Sequence, residues 1–276
     1  LRSQRQYRRE SSKFMQLNAL LENGEILFEK GLYEEALKQW DRAKTLAEAY
    51  NEMPFLMDIE TNKRRYYIDM TASNWKTLCD PSYQYSFDLL DEYNKMLHIQ
   101  KKYVEIVNVI KVQPYFRTPE QKQEWDIFIQ DPLLTPENEP KLFWGKLYFN
   151  YIYNIYHLLC RNKSEALLYI KNILELWDTH VDLKNMEPVK YLSAVHNYLT
   201  NLMFLNEKEA FIAYFEQFKP PALTSFTQEA IYFEHIWLMR NSYYALKKDY
   251  NGLLEFIETS SAELEKYAAF INKVRL

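Results

Sequence analysis

Apolar residues recur every three or four positions through most of the chain, most clearly between Asn23 and Ala47. Leu27 and Phe28 precede Gly31, and the apolar stripe resumes after that glycine. The residues of the second stripe are Tyr33, Ala36, Leu37, Trp40, Ala43 and Leu46. A period near 3.6 is typical of an amphipathic α-helix, and a glycine between two such stripes marks a tight turn. The pattern predicts helices at about 14–30 and 33–51.

The same periodicity predicts helices for most of the remaining chain. These lie at about 55–78 and 83–112, followed by three pairs at 141–160 with 163–181, 187–205 with 207–219, and 225–247 with 249–259. Because proline disfavours the helix interior, Pro81 predicts a break between the first two, at Cys79–Ser82. The sequence therefore indicates an all-α fold.

Two segments differ from this regular pattern. Five of the ten prolines lie between Pro114 and Pro140, which predicts a Pro-rich irregular connector at about 113–140 with a short helix around 120–130. Near the end, Ser260 followed by Glu263 forms a capping box, because a serine can accept the backbone N–H three residues on. It predicts a last helix through Phe270 and Val274.

The first hairpin resembles the tetratricopeptide repeat. The matching residues are Gly24, Gly31-Leu32-Tyr33, Ala36-x3-Trp40 and Ala43. The resemblance implies a single domain over residues 1–276, a right-handed α-α superhelix of about five tetratricopeptide-like helical pairs. Ala36 aligns with Ala166, Ala210 and Leu253, whose successive spacings of 44 and 43 residues exceed the roughly 34 of that family.

Composition and charge narrow the function classes. A net charge of −4 gives no general attraction to phosphate backbones, so we do not expect a nucleic-acid partner. No apolar run reaches the roughly 18 residues that a membrane span needs. Two cysteines, Cys79 and Cys160, form no disulfide framework and fit a reducing compartment, so we expect a cytoplasmic location. The basic residues Arg2, Arg5 and Arg9 fit either a frayed terminus or a basic arm.

Asparagines recur 12 or 13 residues before the aligned position of each pair. They are Asn23, Asn74, Asn154, Asn197 and Asn241. Asparagine is a poor residue for a helix interior, so its recurrence needs a reason. The resemblance implies that these amides line a concave groove and bond the main chain of an extended peptide. The alternative is that they are satisfied locally, by neighbouring helices or tyrosine hydroxyls.

Two other groups could contact a partner. Lys63, Arg64 and Arg65 could meet an acidic or phosphorylated partner if their helix lines the groove, or else form a solvated face. The helix FWGKLYFNYIYNIYHLL carries aromatic residues around its whole circumference. Tyr151 and its neighbours then either line a ligand groove or belong to a central helix packed on most sides. Some tetratricopeptide proteins hold chaperone tails with a carboxylate clamp of Lys and Asn. This chain has Leu21 and Glu25 at the corresponding positions, so we do not expect that class of partner.

The sequence offers little support for catalysis. His157 and Cys160 have ligand-like spacing, but no second pair completes a tetrahedral metal site. Only clustering of these two with His196 would favour an enzyme. Neither a Gly-rich phosphate loop nor a nucleophile elbow occurs.

The sequence therefore predicts a non-catalytic protein- or peptide-binding scaffold that needs no cofactor or metal. The alternative is a sensor or regulatory domain that binds a small apolar or peptide ligand in an aromatic pocket near residues 143–156.

Overall fold

The computed structural model describes residues 13–70 and 74–268, and every regular element in those ranges is helical. The basic residues Arg2, Arg5 and Arg9, interpreted as a frayed terminus or a basic arm, lie outside the described residues, as does the end of the last predicted helix at Phe270 and Val274. The helices are α1 (Lys13–Glu29), α2 (Tyr33–Ala49), α3 (Met53–Met70), α4 (Trp75–Val112), α5 (Pro119–Ile129), α6 (Phe143–Leu159), α7 (Lys163–Thr179), α8 (Val181–Met186), α9 (Pro188–Phe204), α10 (Lys208–Gln217), α11 (Phe226–Lys247) and α12 (Tyr250–Tyr267). No helix within the described ranges is long and apolar enough to cross a membrane.

The predicted first hairpin is confirmed, with α1 and α2 ending within two residues of the expected positions. Small residues let the two helices approach closely. Trp40 is fully buried against Gly24, where a Cβ atom would lie only 2.3 Å from the indole Nε1. Ala36 and Ala43 on the same face of α2 are also fully buried. A larger side chain at any of these positions would push the helices apart.

Five helix ends share one turn geometry. The residues in the left-handed conformation, with φ between 56° and 77°, are Gly31, Asn51, Arg161, Asn206 and Lys248. At the first of these, the Leu32 N–H donates to the Leu27 carbonyl at 2.9 Å and the Gly31 N–H to Phe28 at 3.0 Å. The other four turns repeat both bonds at matching positions, which defines a Schellman motif. Each turn leads into the next helix after one further residue.

These turns correct the alignment of the helix pair formed by α9 and α10. In the second helix of each pair, the N–H of the fourth residue donates to the carbonyl of the residue just before the helix. These fourth residues are Ala36, Ala166, Phe211 and Leu253. Phe211 is fully buried, whereas Ala210 is exposed, so the alignment of Ala210 with Ala36 is wrong by one residue. Because the turn at Asn206 comes one residue later than assumed, the spacings become 45 (Ala166 to Phe211) and 42 (Phe211 to Leu253).

The predicted break at Cys79–Ser82 is wrong, because α4 is one helix of 38 residues that contains Pro81. Proline removes one helical hydrogen bond and its ring crowds the preceding turn, at a cost of about 3 kcal/mol. Burial of Cys79 and Ser82 on either side of Pro81 favours the helix despite this cost. Asn74, directly before α4, lies in a turn.

The predicted capping box at Ser260 is also wrong. Ser260 lies inside α12, which continues from Tyr250 to Tyr267. Its hydroxyl accepts a hydrogen bond from Trp237 Nε1 at 3.0 Å and donates to the Ile257 carbonyl at 3.3 Å. This contact between α11 and α12 uses the serine that the local pattern assigned to a helix start.

The Pro-rich segment contains more local structure than an irregular connector. The short helix expected around 120–130 is confirmed as α5. Two short 3₁₀ turns follow it, Pro132–Leu134 and Pro136–Asn138, each with a proline at its first position. The short helix α8, after α7, was not expected from the sequence.

The chain divides into two compact units, each with its own core. The first comprises residues up to Val104 together with Gln130–Phe149, and the second comprises Glu105–Ile129 and the chain from Asn150 onward. The core of the first unit contains Leu17, Ala36, Trp40, Ala43, Ala47, Met53, Leu56, Ile59 and Leu89. Buried residues of the second include Ile152, Ala166, Ile170, Ile173, Trp177, Leu199 and Phe211.

We expect Ala36→Leu to lower the free energy of unfolding by about 1–3 kcal/mol, because the added methylenes have no room between α1 and α2. Ala210→Leu is the matched control and should change it by less than about 0.5 kcal/mol, since Ala210 is exposed. Urea denaturation of both variants measures the difference. Equal effects would mean that the buried alanine has been misassigned.

Candidate functional site

The structure separates the predicted asparagines into three environments. Asn23 and Asn74 are exposed, Asn197 and Asn241 are half-buried, and Asn154 is buried. They therefore do not share one solvent-facing environment. Whether any of them binds a partner's main chain stays a prediction.

Asn154 and Asn241 occupy equivalent places, each seven residues before the left-handed residue of its turn. Gly24 holds the same place in α1, where it contacts Trp40 of α2. Asn154 likewise faces the second helix of its own pair, because its Nδ2 donates to the Ala166 carbonyl on α7 at 2.7 Å.

Buried amides connect three helices of the second unit. Asn154 on α6 also donates to Asn201 Oδ1 on α9 at 2.9 Å, and Asn201 Nδ2 bonds the Asn197 carbonyl at 2.8 Å. A second contact between α6 and α7 joins Asn172 Nδ2 to Asn150 Oδ1 at 3.3 Å. We call Asn150, Asn154, Asn172, Asn197 and Asn201 the amide network.

Sequence reasoning missed Asn150, Asn172 and Asn201. A usable signal was present, because Asn150 and Asn154 are four residues apart, as are Asn197 and Asn201. Residues at that spacing lie on one helical face. Two such pairs on neighbouring helices can satisfy each other's amides without solvent.

The remaining predicted polar residues of the second unit have local partners as well. Asn197 Nδ2 lies 3.5 Å from the hydroxyl of Tyr151, whose side chain is 9% exposed. Asn241 Nδ2 donates to the Trp237 carbonyl of its own helix at 2.8 Å. Its Oδ1 is buried without a hydrogen-bond partner, so Asn241 keeps one unused acceptor.

The basic run on α3 does not form one patch. Lys63 Nζ pairs with Asp41 at 2.7 Å. Arg65 pairs with Glu25 at 2.8 Å and lies over the ring of Phe28 at 4.3 Å. The run therefore divides between two carboxylates on different helices, α2 and α1.

Arg64 belongs to a polar network inside the first unit. Its guanidinium donates to the hydroxyls of Ser86 at 2.8 Å and Ser82 at 3.1 Å. Ser82 donates in turn to the carboxylate of Glu60 at 2.6 Å, and Lys44 bonds the same carboxylate at 2.7 Å. Glu60 is only 3% exposed, and two hydrogen-bonded partners offset the cost of burying its charge.

An open cleft of about 300 Å³ lies beside this network. It is lined by Lys44, Glu60, Lys63, Tyr67, Leu78, Pro81, Ser82 and Tyr85. Burial, followed by the hydrogen bond to Glu48, raises the pKa of Tyr85, so its hydroxyl remains a donor at neutral pH. Both lysines already face carboxylates, which leaves the cleft without an excess of positive charge.

A second open cleft, of about 320 Å³, lies in the second unit and has a different chemistry. We call it the aromatic cleft; it is lined by Lys184, Tyr191, Tyr214, Gln217, Phe218 and Lys219. The Phe218 ring lies 6.3 Å from the Tyr214 ring and 6.5 Å from the Tyr191 ring, measured between centroids. Burial, followed by the neighbouring Tyr191, raises the pKa of Tyr214. The aromatic part of the lining is therefore uncharged at neutral pH.

Two lysines at the rim of the aromatic cleft differ in their pairing. Lys184 bonds Asp178 at 2.6 Å and lies over the Tyr191 ring at 4.2 Å. Lys219 is exposed and makes no ion pair with any described residue. Pro220 disfavours helical backbone at Lys219, and α10 ends at Gln217, so Phe218 and Lys219 lie outside the helix.

The residues whose clustering would have favoured an enzyme have other neighbours. His157 stacks on Tyr169, with ring centroids 5.6 Å apart, and burial lowers the pKa of His157. The His196 ring packs against the His235 ring, with centroids 4.6 Å apart. Among residues 13–70 and 74–268, no group of three or more His, Cys, Asp or Glu side chains is placed to hold a metal ion. Neither cleft is lined by a residue of 143–156.

Comparisons with protein-family models, with curated proteins and with solved structures found no match for the chain. The site is therefore assigned from its geometry. The aromatic cleft is distinguished by buried and partly buried aromatic rings beside a lysine that makes no ion pair with a described residue.

We expect Asn154→Ala to lower the free energy of unfolding by about 1–3 kcal/mol, because it leaves Asn201 Oδ1 buried without its donor. The matched control is Asn23→Ala at an exposed position, which should change it by less than about 0.5 kcal/mol. Chemical denaturation measures both values. If Asn154 instead serves a peptide ladder, its substitution should leave stability unchanged and reduce affinity for a partner.

Proposed function

We propose that the chain is a non-catalytic module that binds a protein or peptide partner, built from tetratricopeptide-like helical pairs in a right-handed superhelix. The repeated Schellman turn supports the repeat architecture, because the same two backbone bonds close all five turns. The amide network and the small residues of the first hairpin support close helix pairing.

The aromatic cleft is the observation that carries the proposal. Tyr214 and Phe218 supply apolar surface, and recognition sites commonly combine such walls with a few placed polar groups. Lys219, which makes no ion pair with a described residue, adds a positive charge at the rim. These features fit a peptide with one apolar or aromatic side chain next to carboxylates.

This assignment predicts a specific preference among peptides. We would measure fluorescence anisotropy with fluorescein-labelled peptides whose central Phe, Leu or Ser is flanked by Asp, by Ser or by Lys. Peptides with central Phe or Leu flanked by Asp should bind most tightly, because they match both the walls and the charge. No binding by any peptide, or a preference for Lys flanks, would contradict the proposal.

A charge reversal tests the role of the rim. Lys219→Glu should weaken binding of the Asp-flanked Phe peptide by roughly threefold to tenfold, the range expected for an exposed charge contact. Lys208→Glu is the matched control, since Lys208 is exposed at the start of α10, which ends two residues before Lys219, and does not line the aromatic cleft. An equal loss of affinity in both variants would indicate a general charge effect.

A further inference from the structure

The open cleft beside Glu60, which we call the polar cleft, is built from matching faces of two helices. Its described lining residues are Glu60, Lys63 and Tyr67 on α3, Leu78, Pro81, Ser82 and Tyr85 on α4, and Lys44 on α2. Within α3 and within α4 these residues follow the i, i+3, i+4 and i+7 spacing of one helical face. The lining is therefore carried by helical backbone rather than by loops.

A buried carboxylate stands in the lining of the polar cleft. Glu60 is 3% exposed, and its two oxygens accept hydrogen bonds from Lys44 at 2.7 Å and from Ser82 at 2.6 Å. A carboxylate offers about four acceptor positions, so Glu60 can accept from a further donor. A buried ion pair seldom adds stability over apolar packing, so stability alone does not account for these groups. Buried charges in a cleft are instead typical of binding sites.

Hydrogen-bond donors outnumber acceptors among the other described residues of the lining. Lys44 and Lys63 each carry three N–H donors, and each uses one for its carboxylate partner. Burial raises the pKa of Tyr67, and burial followed by the hydrogen bond to Glu48 raises the pKa of Tyr85. Both hydroxyls therefore keep their proton at neutral pH. The polar cleft suits a ligand with several oxygen acceptors.

The same lining contains more positive than negative charge among its described residues. It holds two cations, Lys44 and Lys63, against one carboxylate, Glu60. Asp41 neutralises Lys63 from outside the lining, and its side chain is 55% exposed whereas that of Lys63 is 12% exposed. Water can therefore solvate Asp41 when an anion takes its place. Arg64 adds a charge beside the cleft, since its hydrogen bonds go to hydroxyls and a backbone carbonyl.

We propose that the polar cleft binds a phosphate group that retains a proton, either as the free ion or as a monoester. Its oxygens accept from Lys44 and Lys63 in place of Asp41, and its remaining O–H donates to Glu60. The cleft volume of about 300 Å³ lies at the lower end of small-molecule pockets, which suits one small group.

Glu60 determines which anion is selected. Sulfate has the tetrahedral shape of phosphate but carries no proton at neutral pH, so it meets the buried carboxylate without a hydrogen bond. Two negative groups in contact without a shared proton repel each other, and such an unfavourable contact excludes the wrong ligand. A carboxylate among cations is therefore compatible with a phosphate site and unfavourable for other inorganic anions.

Isothermal titration calorimetry of the full chain at pH 7 and constant ionic strength tests this selectivity. Inorganic phosphate should bind at one site per chain and at least about tenfold more tightly than sulfate. The absence of phosphate binding would overturn the proposal, as would equal affinities for phosphate and sulfate.

Lys63→Met should weaken phosphate binding at least about tenfold, because it removes a charge-assisted donor. Lys63 is a better test than Lys44, since its loss leaves the exposed Asp41 without a partner rather than the buried Glu60. Lys38→Met is the matched control, because it removes the same charge at an exposed position of α2 outside the cleft. Equal effects of the two variants on folded protein would overturn the proposal.

Asp41→Asn should have the opposite effect and tighten phosphate binding by roughly threefold, because the ligand no longer competes with a carboxylate for Lys63. Glu35→Gln is its control, since Glu35 is exposed on the same helix and does not line the cleft. It should change the affinity less than Asp41→Asn does. A general charge effect would strengthen binding equally in both variants and would reject the exchange with Asp41.

Glu60→Gln tests the buried carboxylate directly. Glutamine keeps the shape of the side chain but supplies N–H donors, so the folded variant should bind sulfate as tightly as phosphate. Circular dichroism checks that the variant is folded, and the Lys63 and Asp41 variants test the site independently of it. An unchanged preference for phosphate in folded Glu60→Gln would overturn the role of this carboxylate.

Phenyl phosphate distinguishes the two sources of the phosphate group. A monoester has a second pKa of about 6, so only part of it keeps a proton at pH 7, whereas inorganic phosphate always keeps one. Tighter binding of inorganic phosphate would assign the free ion as the ligand. Tighter binding of phenyl phosphate would assign a phosphate ester, and binding of neither would overturn the proposal.

Discussion

The fold depends on how each helix ends. The last carbonyl groups of a helix have no partner within it, and a chain that reverses direction must satisfy them at once. At five junctions a residue with positive φ allows two N–H groups to fold back onto the last turn. Gly31 adopts this conformation without strain and Asn51 and Asn206 tolerate it, whereas Arg161 and Lys248 are disfavoured there. Helix pairing on both sides of these turns must offset that cost of about 1–2 kcal/mol per residue.

The sequence was sufficient for the positions of most helices, because amphipathic periodicity and short polar junctions are local signals. It failed where tertiary contacts outweigh local preference. Pro81 predicts a break, yet burial on both sides of it keeps α4 continuous. Ser260 predicts a helix start, yet its hydroxyl bonds Trp237 from inside α12. In both cases the contact that decides the outcome is with another helix, and the local sequence pattern does not reveal such a contact.

The recurrent asparagines show the same limit at the level of the site. Their spacing identified Asn154, but a regular interval could not show which helix it faces. The turn geometry gives the register: Gly24 and Asn154 occupy one position, at which the first helix of a pair meets the second. A glycine there admits Trp40, and an asparagine there bonds a backbone carbonyl. The aromatic cleft was not predicted, because it depends on three separate segments that converge around Phe218.

Aromatic residues make up 16% of the chain, and not all of them are enclosed in its cores. Lysine or arginine side chains lie over the ring faces of several of the others. The clearest contacts are Lys44 over Tyr85, Arg64 over Tyr83, Arg65 over Phe28 and Lys184 over Tyr191. Such a cation shields the ring face from other apolar surfaces. Phe87 has no cation over it among the described residues and is 57% exposed. Apolar area without this cover, such as the ring of Phe87, stays exposed on α4.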